Sequence, residues 1–247
     1  MAITSEFENE LQKLLTGLTD HPTHEYGPKQ RQKLFYLFKS DPFGMLVWRW
    51  LAFITARHVL PIYEVFASEL NQNDWYFNLK FPRRSLYMAK KVLLGKEQAQ
   101  VGYDMANGAY DPKDFDYGWR ALRPVPFNVY QASWAASMAL LEVSANDLDP
   151  FRHLANIAFY SDGFTIARGI SKDIQATYPD SIPGEDFTDA LWAESGHSDT
   201  AAAASSAWAC EGLSREPDPN KLLEFWHWWL TEAIPQAWEL AETHKSA

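Results

Sequence analysis

Residues 218–243 read DPNKLLEFWHWWLTEAIPQAWELAET. Asp218-Pro219 is a cap followed by a first-turn proline, because Pro has no N–H to lose at the start of a helix. Beyond it, Phe225, Trp226, Trp229, Ala233 and Ala237 share a broad apolar face. Glu224, Trp228, Thr231, Glu232, Gln236 and Glu239 lie towards the other side. The period is that of an amphipathic helix. Pro235 is expected to bend it and to free the carbonyl of Thr231.

The same signals recur upstream. Phe7, Leu11, Leu14, Leu15 and Leu18 mark a first helix that ends near DHPTHEYGP, and Leu34, Phe35, Leu37 and Phe38 a short second one. A third starts at Asp41-Pro42 and runs through WRWLAFITARHV, where Pro61 is predicted to kink or end it. A fourth opens at Pro82 and closes near Gly95. The segment from Gly102 to Pro126 is the least regular and reads as a long loop with a short helical turn. A fifth helix covers Phe127 to Val143, with Ala at 132, 135, 136 and 139 allowing close helix approach. Asp149-Pro150 and Asp162 open two more, and Phe187–Glu194 and AAAASSAWAC lie on either side of the break SGHSD. No run of alternating β-branched residues marks a strand. The expected fold is an all-α, single-domain multi-helix bundle over residues 1–247, with residues 1–25 readable as a short helical extension.

The 247 residues are 47% hydrophobic and 22% charged, which suits a globular chain rather than a disordered one. Aromatics reach 15%, with 11 Trp, and composition alone leaves open whether they fill a core or anchor a partner. Cys210 is the single cysteine, which excludes a disulfide framework and fits a reducing compartment. The start, MAITSEFENELQ, has no basic stretch of the secretory kind, and Arg49, Arg57, His58 and Glu64 interrupt the longest apolar stretch, from Phe43 to Phe66. A cytoplasmic location is expected.

The net charge is −10, unevenly placed. Up to Arg123 there are 16 Lys and Arg against 14 Asp and Glu; from Pro124 onward there are 6 against 18. Lys80, Arg83, Arg84, Lys90, Lys91 and Lys96 crowd into one basic stretch. The acidic half disfavours nucleic acid and anionic membranes as partners and favours a basic protein.

Phosphate-binding glycine motifs, GxSxG and HExxH are missing. Ser195, His197 and Asp199 are too close in sequence to act as a triad and read as cap and turn residues. Glu194 with His197, and Glu224 with His227, are two ExxH pairs of the kind that di-metal four-helix carboxylate enzymes use. Glu64 and Glu142 are the candidates for the further ligands, and Gly196 at a helix break speaks against the set. In Tyr110–Trp119, Asp111, Asp114 and Asp116 interleave with Phe115, Tyr117 and Trp119. The spacing is not that of a calcium loop, and the segment reads as a recognition loop or a plain polar connection. Trp228, stacked in one column with Glu224 and Glu232 at i±4, reads as an anchor for a basic partner or, if the helix is buried all round, as packing. Arg49 and Arg57 flank Phe53, and an ion pair with Glu64 is expected if the helix passes Pro61.

ARHVLPIYE (Ala56 to Glu64), followed by FPRRSLYMAKKVLLGK (Phe81 to Lys96), resembles immunity protein family five of bacterial polymorphic toxin systems, most strongly over Trp48 to Lys96. EFWHWWLTEAIPQAWE is similar to the C-terminal helix of such proteins. The resemblance implies an all-helical cytoplasmic protein that neutralises a cognate toxin by binding it, with no catalysis and no cofactor. Many such toxins carry basic clefts that an acidic surface would plug. The contact residues expected from the sequence are Trp228, Glu224 and Glu232, with Asp111, Asp114, Asp116 and Trp119. The alternatives are the di-metal enzyme and a helical scaffold or regulatory module.

Overall fold

The computed structural model describes residues 5–21, 24, 26–69, 80–108, 126–145, 199–214 and 216–245. Among these the regular structure is helical throughout, with no strand: the protein is all-α. The helices are α1 (Ser5–Asp20), α2 (Pro28–Lys39), α3 (Pro42–Glu69), α4 (Phe81–Leu93), α5 (Ala99–Gly108), α6 (Phe127–Ser144), α7 (Thr200–Ala209), α8 (Pro219–Trp228) and α9 (Ile234–Thr243). One π-turn, Trp229–Ala233, joins α8 to α9. The helices expected from Asp149, Asp162 and Phe187 lie outside the described residues. None of the described helices is long and apolar enough to cross a membrane.

α6 is the hub, with α3, α7, α4 and α5 packed around it. Its alanines at 132, 135, 136 and 139 are completely buried, and a methyl-sized side chain is what lets neighbouring backbones come close on several sides. α7 repeats the device with Ala203 and Ala204, also fully buried. α5 meets α6 at Gly102, where a Cβ would lie 2.1 Å from Ser144 Oγ. This corrects the expectation of a loop from Gly102 onward: the glycine is a contact point of a helix, and tertiary packing outweighs its poor helix propensity.

α3 runs on through Pro61 to Glu69 and does not stop there. The bond that Pro61 cannot donate belongs to the carbonyl of Arg57, on a side of α3 where Arg57 and Pro61 are both exposed and water can serve it. The expected ion pair within α3 does not form. Glu64 pairs instead with Arg83 of α4 at 2.5 Å. Arg49 donates to the carbonyl of Ala145 at 3.2 Å, just past the C-terminal end of α6, where a cation meets the negative end of the helix dipole.

Many of the described aromatic side chains are buried. Trp48 packs edge-on to Phe35 with ring centres 5.1 Å apart and to Trp229 at 6.4 Å. Trp226 lies 5.3 Å from Tyr26 and 5.6 Å from Trp229. The first helix belongs to this arrangement: Phe7 of α1 packs edge-on to Phe38 and at a tilt against Trp238. The indole of Trp229 donates to Thr55 Oγ1 at 2.9 Å. A Thr55→Val substitution keeps the shape and removes the acceptor, leaving a buried N–H unpaired. A loss of about 1–3 kcal/mol in urea unfolding is expected; an unchanged midpoint would mean that the indole finds another acceptor.

Candidate interaction surface

Two polar arrangements stand out, one buried and one at the surface. The buried one joins four helices. Arg31 of α2 donates through Nε to Asp199 Oδ2 at 2.8 Å and through Nη1 to the carbonyl of Tyr26. Asp199 caps α7 by accepting from the Ala202 N–H at 2.9 Å, which is the cap role expected of it. Thr200 donates its N–H and its hydroxyl to Glu142 Oε1, at 2.8 and 2.7 Å. Trp48 donates Nε1 to Glu142 Oε2 at 2.7 Å. Burial, with Asp199 nearby adding to it, pushes the Glu142 carboxyl up to about 7 against the pull of these donors. Arg31, Asp199 and Glu142 are all buried. These buried residues pin α2, α3, α6 and α7 together.

Glu142 is therefore taken by protein donors rather than held ready as a metal ligand, and Glu64 is paired with Arg83. Among the described residues no group of three or more His, Cys, Asp or Glu is arranged to hold a metal. Glu194 and His197 lie outside the described residues; Glu224 and His227 sit exposed on α8.

The surface arrangement is built on Trp228. Its indole lies flat on the imidazole of His58, with ring centres 3.6 Å apart and planes 13° from parallel. On the same imidazole stacks Trp208 of α7, at 4.8 Å and 28°. Phe225, fully buried, closes the floor at 5.7 Å from Trp228 and 6.4 Å from His58. Trp208, His58 and Trp228 are each half-buried, so the stack is ordered by packing and still reaches solvent. Trp228 is thus not the free-standing column member that the helix wheel of α8 implies, because α3 covers one of its faces.

Glu224 and Glu232 are exposed beside this stack. Desolvation holds the His58 imidazole below its ordinary pKa, while the nearby charges of Glu224 and Glu232 work to raise it. Both carboxylates therefore act on the charge of the same ring. Along α3 the surface continues over Pro61 to Val65, at i+3 and i+7 from His58, and Val65 is 62% exposed. An aromatic platform with an apolar flank and two carboxylates can take a basic side chain by stacking and charge together.

Of the residues singled out in the sequence, Trp228, Glu224 and Glu232 come together. Asp111, Asp114, Asp116 and Trp119 lie outside the described residues. His58 and Trp208 escape a sequence reading because each comes from another helix. The usable signal for Trp208 is its isolation: in TAAAASSAWA it is the one large side chain among small ones and has to cover something.

A scan against family models finds no match to this chain, and a search of curated proteins finds no similar one.

Proposed function

We propose that this chain is a cytoplasmic bacterial immunity protein that binds and neutralises a cognate toxin domain carrying a basic surface. It acts by binding, without catalysis or cofactor. The observation that carries this reading is the half-buried stack of Trp208, His58 and Trp228 beside Glu224 and Glu232. A rigid aromatic surface with carboxylates is the kind of place where binding energy concentrates, because little side-chain freedom is lost on contact. The resemblance of Ala56–Glu64 and Phe81–Lys96 to immunity protein family five supports the same reading.

The test is co-purification of the tagged chain from its host with the product of the neighbouring gene. A large protein with a C-terminal toxin domain, released by high salt, is the expected partner. The variant Trp228→Ala with Glu232→Lys is expected to bind that domain about 100-fold more weakly while keeping its helical circular dichroism. Unchanged affinity in the folded variant would place the interface elsewhere. Affinity that does not respond to salt would exclude acidic steering.

A further inference from the structure

We infer that His58 is a built-in competitor for the basic side chain that Trp228, Glu224 and Glu232 take from a partner: once protonated, it supplies the cation of this surface itself and weakens the hold on the partner. The inference rests on the binding surface proposed above and names its regulation.

The geometry leaves the imidazole little choice. Indoles on both sides hold it, at 3.6 and 4.8 Å between ring centres, so it cannot swing away when it gains a proton. A neutral imidazole in this position is one more aromatic ring. An imidazolium is a cation against two indole faces, which is the contact an incoming arginine would make with Trp228.

The charges around the ring point the same way. α8 brings Glu224 and the π-turn brings Glu232, and among the described residues these are the two groups whose charge His58 feels. α7 brings none, since Thr200–Ala209 holds only Thr, Ala, Ser and Trp. On α3 itself, Arg57 is exposed, and its positive charge does not favour a second one beside it. His227 of α8 is exposed next to Trp228, and Lys221 is engaged by Glu211 at 2.6 Å. Protonating His58 thus neutralises part of the carboxylate pair that would meet a basic partner. Desolvation favours the neutral ring, so the surface is acidic and receptive while His58 is neutral and is weakened as acid protonates it. By linkage the partner's cation must also drive the proton off His58.

The experiment is an NMR titration of the His58 ring signals between pH 5 and 8, on the full chain, alone and with hexa-arginine peptide at matched ionic strength. The peptide is expected to lower the His58 midpoint by about 0.5 unit, which by linkage means roughly threefold weaker peptide binding to the protonated form. The shift is expected to vanish in Glu224→Gln/Glu232→Gln. In His58→Gln, a flat amide that can still stack, peptide affinity is expected to be equal at pH 5.5 and 7.5. An unmoved midpoint, failure of the peptide to bind at pH 7.5, or the same pH dependence in His58→Gln would each overturn the inference. Failure of the immunity reading shows separately, as the absence of a toxin partner in co-purification.

Discussion

Asp199→Ala is expected to lower the free energy of unfolding by about 3–5 kcal/mol, the usual cost of removing one partner from a buried ion pair. Asp199 is completely buried and Arg31 is 4% exposed, so water cannot take the place of the missing carboxylate. Among its contacts with the described residues, Arg31 would keep its bond to the Tyr26 carbonyl and its position 5.6 Å from the Trp226 ring centre, neither of which carries a negative charge. The substitution also removes the cap on the Ala202 N–H, worth about 1 kcal/mol. In a chain of this size the melting temperature should fall by about 6–20 °C. The double variant Arg31→Met with Asp199→Ser should recover most of the loss, since it removes both members of this ion pair and keeps a cap oxygen. Urea unfolding followed by circular dichroism measures all three proteins. An Asp199→Ala variant within about 1 kcal/mol of the parent would show that solvent reaches Arg31.

The second large effect is in pH. The Glu142 carboxyl, ordinarily near 4.5, is raised to about 7 in the folded chain. The folded state therefore holds a proton between these two values that the unfolded state has lost. The stability this proton confers is complete below about pH 4.5 and disappears as pH rises through 7, a fall of about 3 kcal/mol for a shift of this size. Melting temperature should accordingly decline from pH 5 to pH 8. Glu142→Gln removes the proton and should flatten the curve. It also turns an amide N–H towards either Trp48 or Thr200, both of which donate, so the variant should be less stable than the parent at pH 5. A parent protein equally stable at pH 5 and pH 8 would mean that Glu142 stays ionised in the fold.

Local signals in the chain carried much of the architecture. Asp218-Pro219 opens α8, Asp199 caps α7, and the alanines of Phe127–Val143 are the small face of the hub helix. The same kind of signal misled at Gly102, and at Pro61 the helix does not end. A proline or glycine states what the isolated backbone prefers, whereas α3 and α5 are helical because neighbours cover their apolar sides. In α2, the helix extends back to Pro28 although its apolar cluster begins only at Leu34. The candidate surface was half legible. Trp228, Glu224 and Glu232 share one stretch of chain and its helical period, while His58 and Trp208 meet Trp228 only through the packing of α3, α7 and α8. The buried network was less legible still: Arg31 and Asp199 are 168 residues apart in sequence.

The π-turn at Trp229–Ala233 bears on how the length of this chain can change. Phe225, Trp229, Ala233, Ala237 and Ala241 are all buried at intervals of four, and in an unbroken α-helix such a row would drift by about 40° at each step. The wider turn, closed by the Ile234 N–H on the Trp229 carbonyl, takes up one residue more than an α-turn and brings the row back under the core. A chain shorter by one residue here would close into a plain α-helix with Ile234, Ala237 and Ala241 still facing inward. Among the described core helices, this is the place where a one-residue deletion is absorbed locally and does not turn everything beyond it out of register.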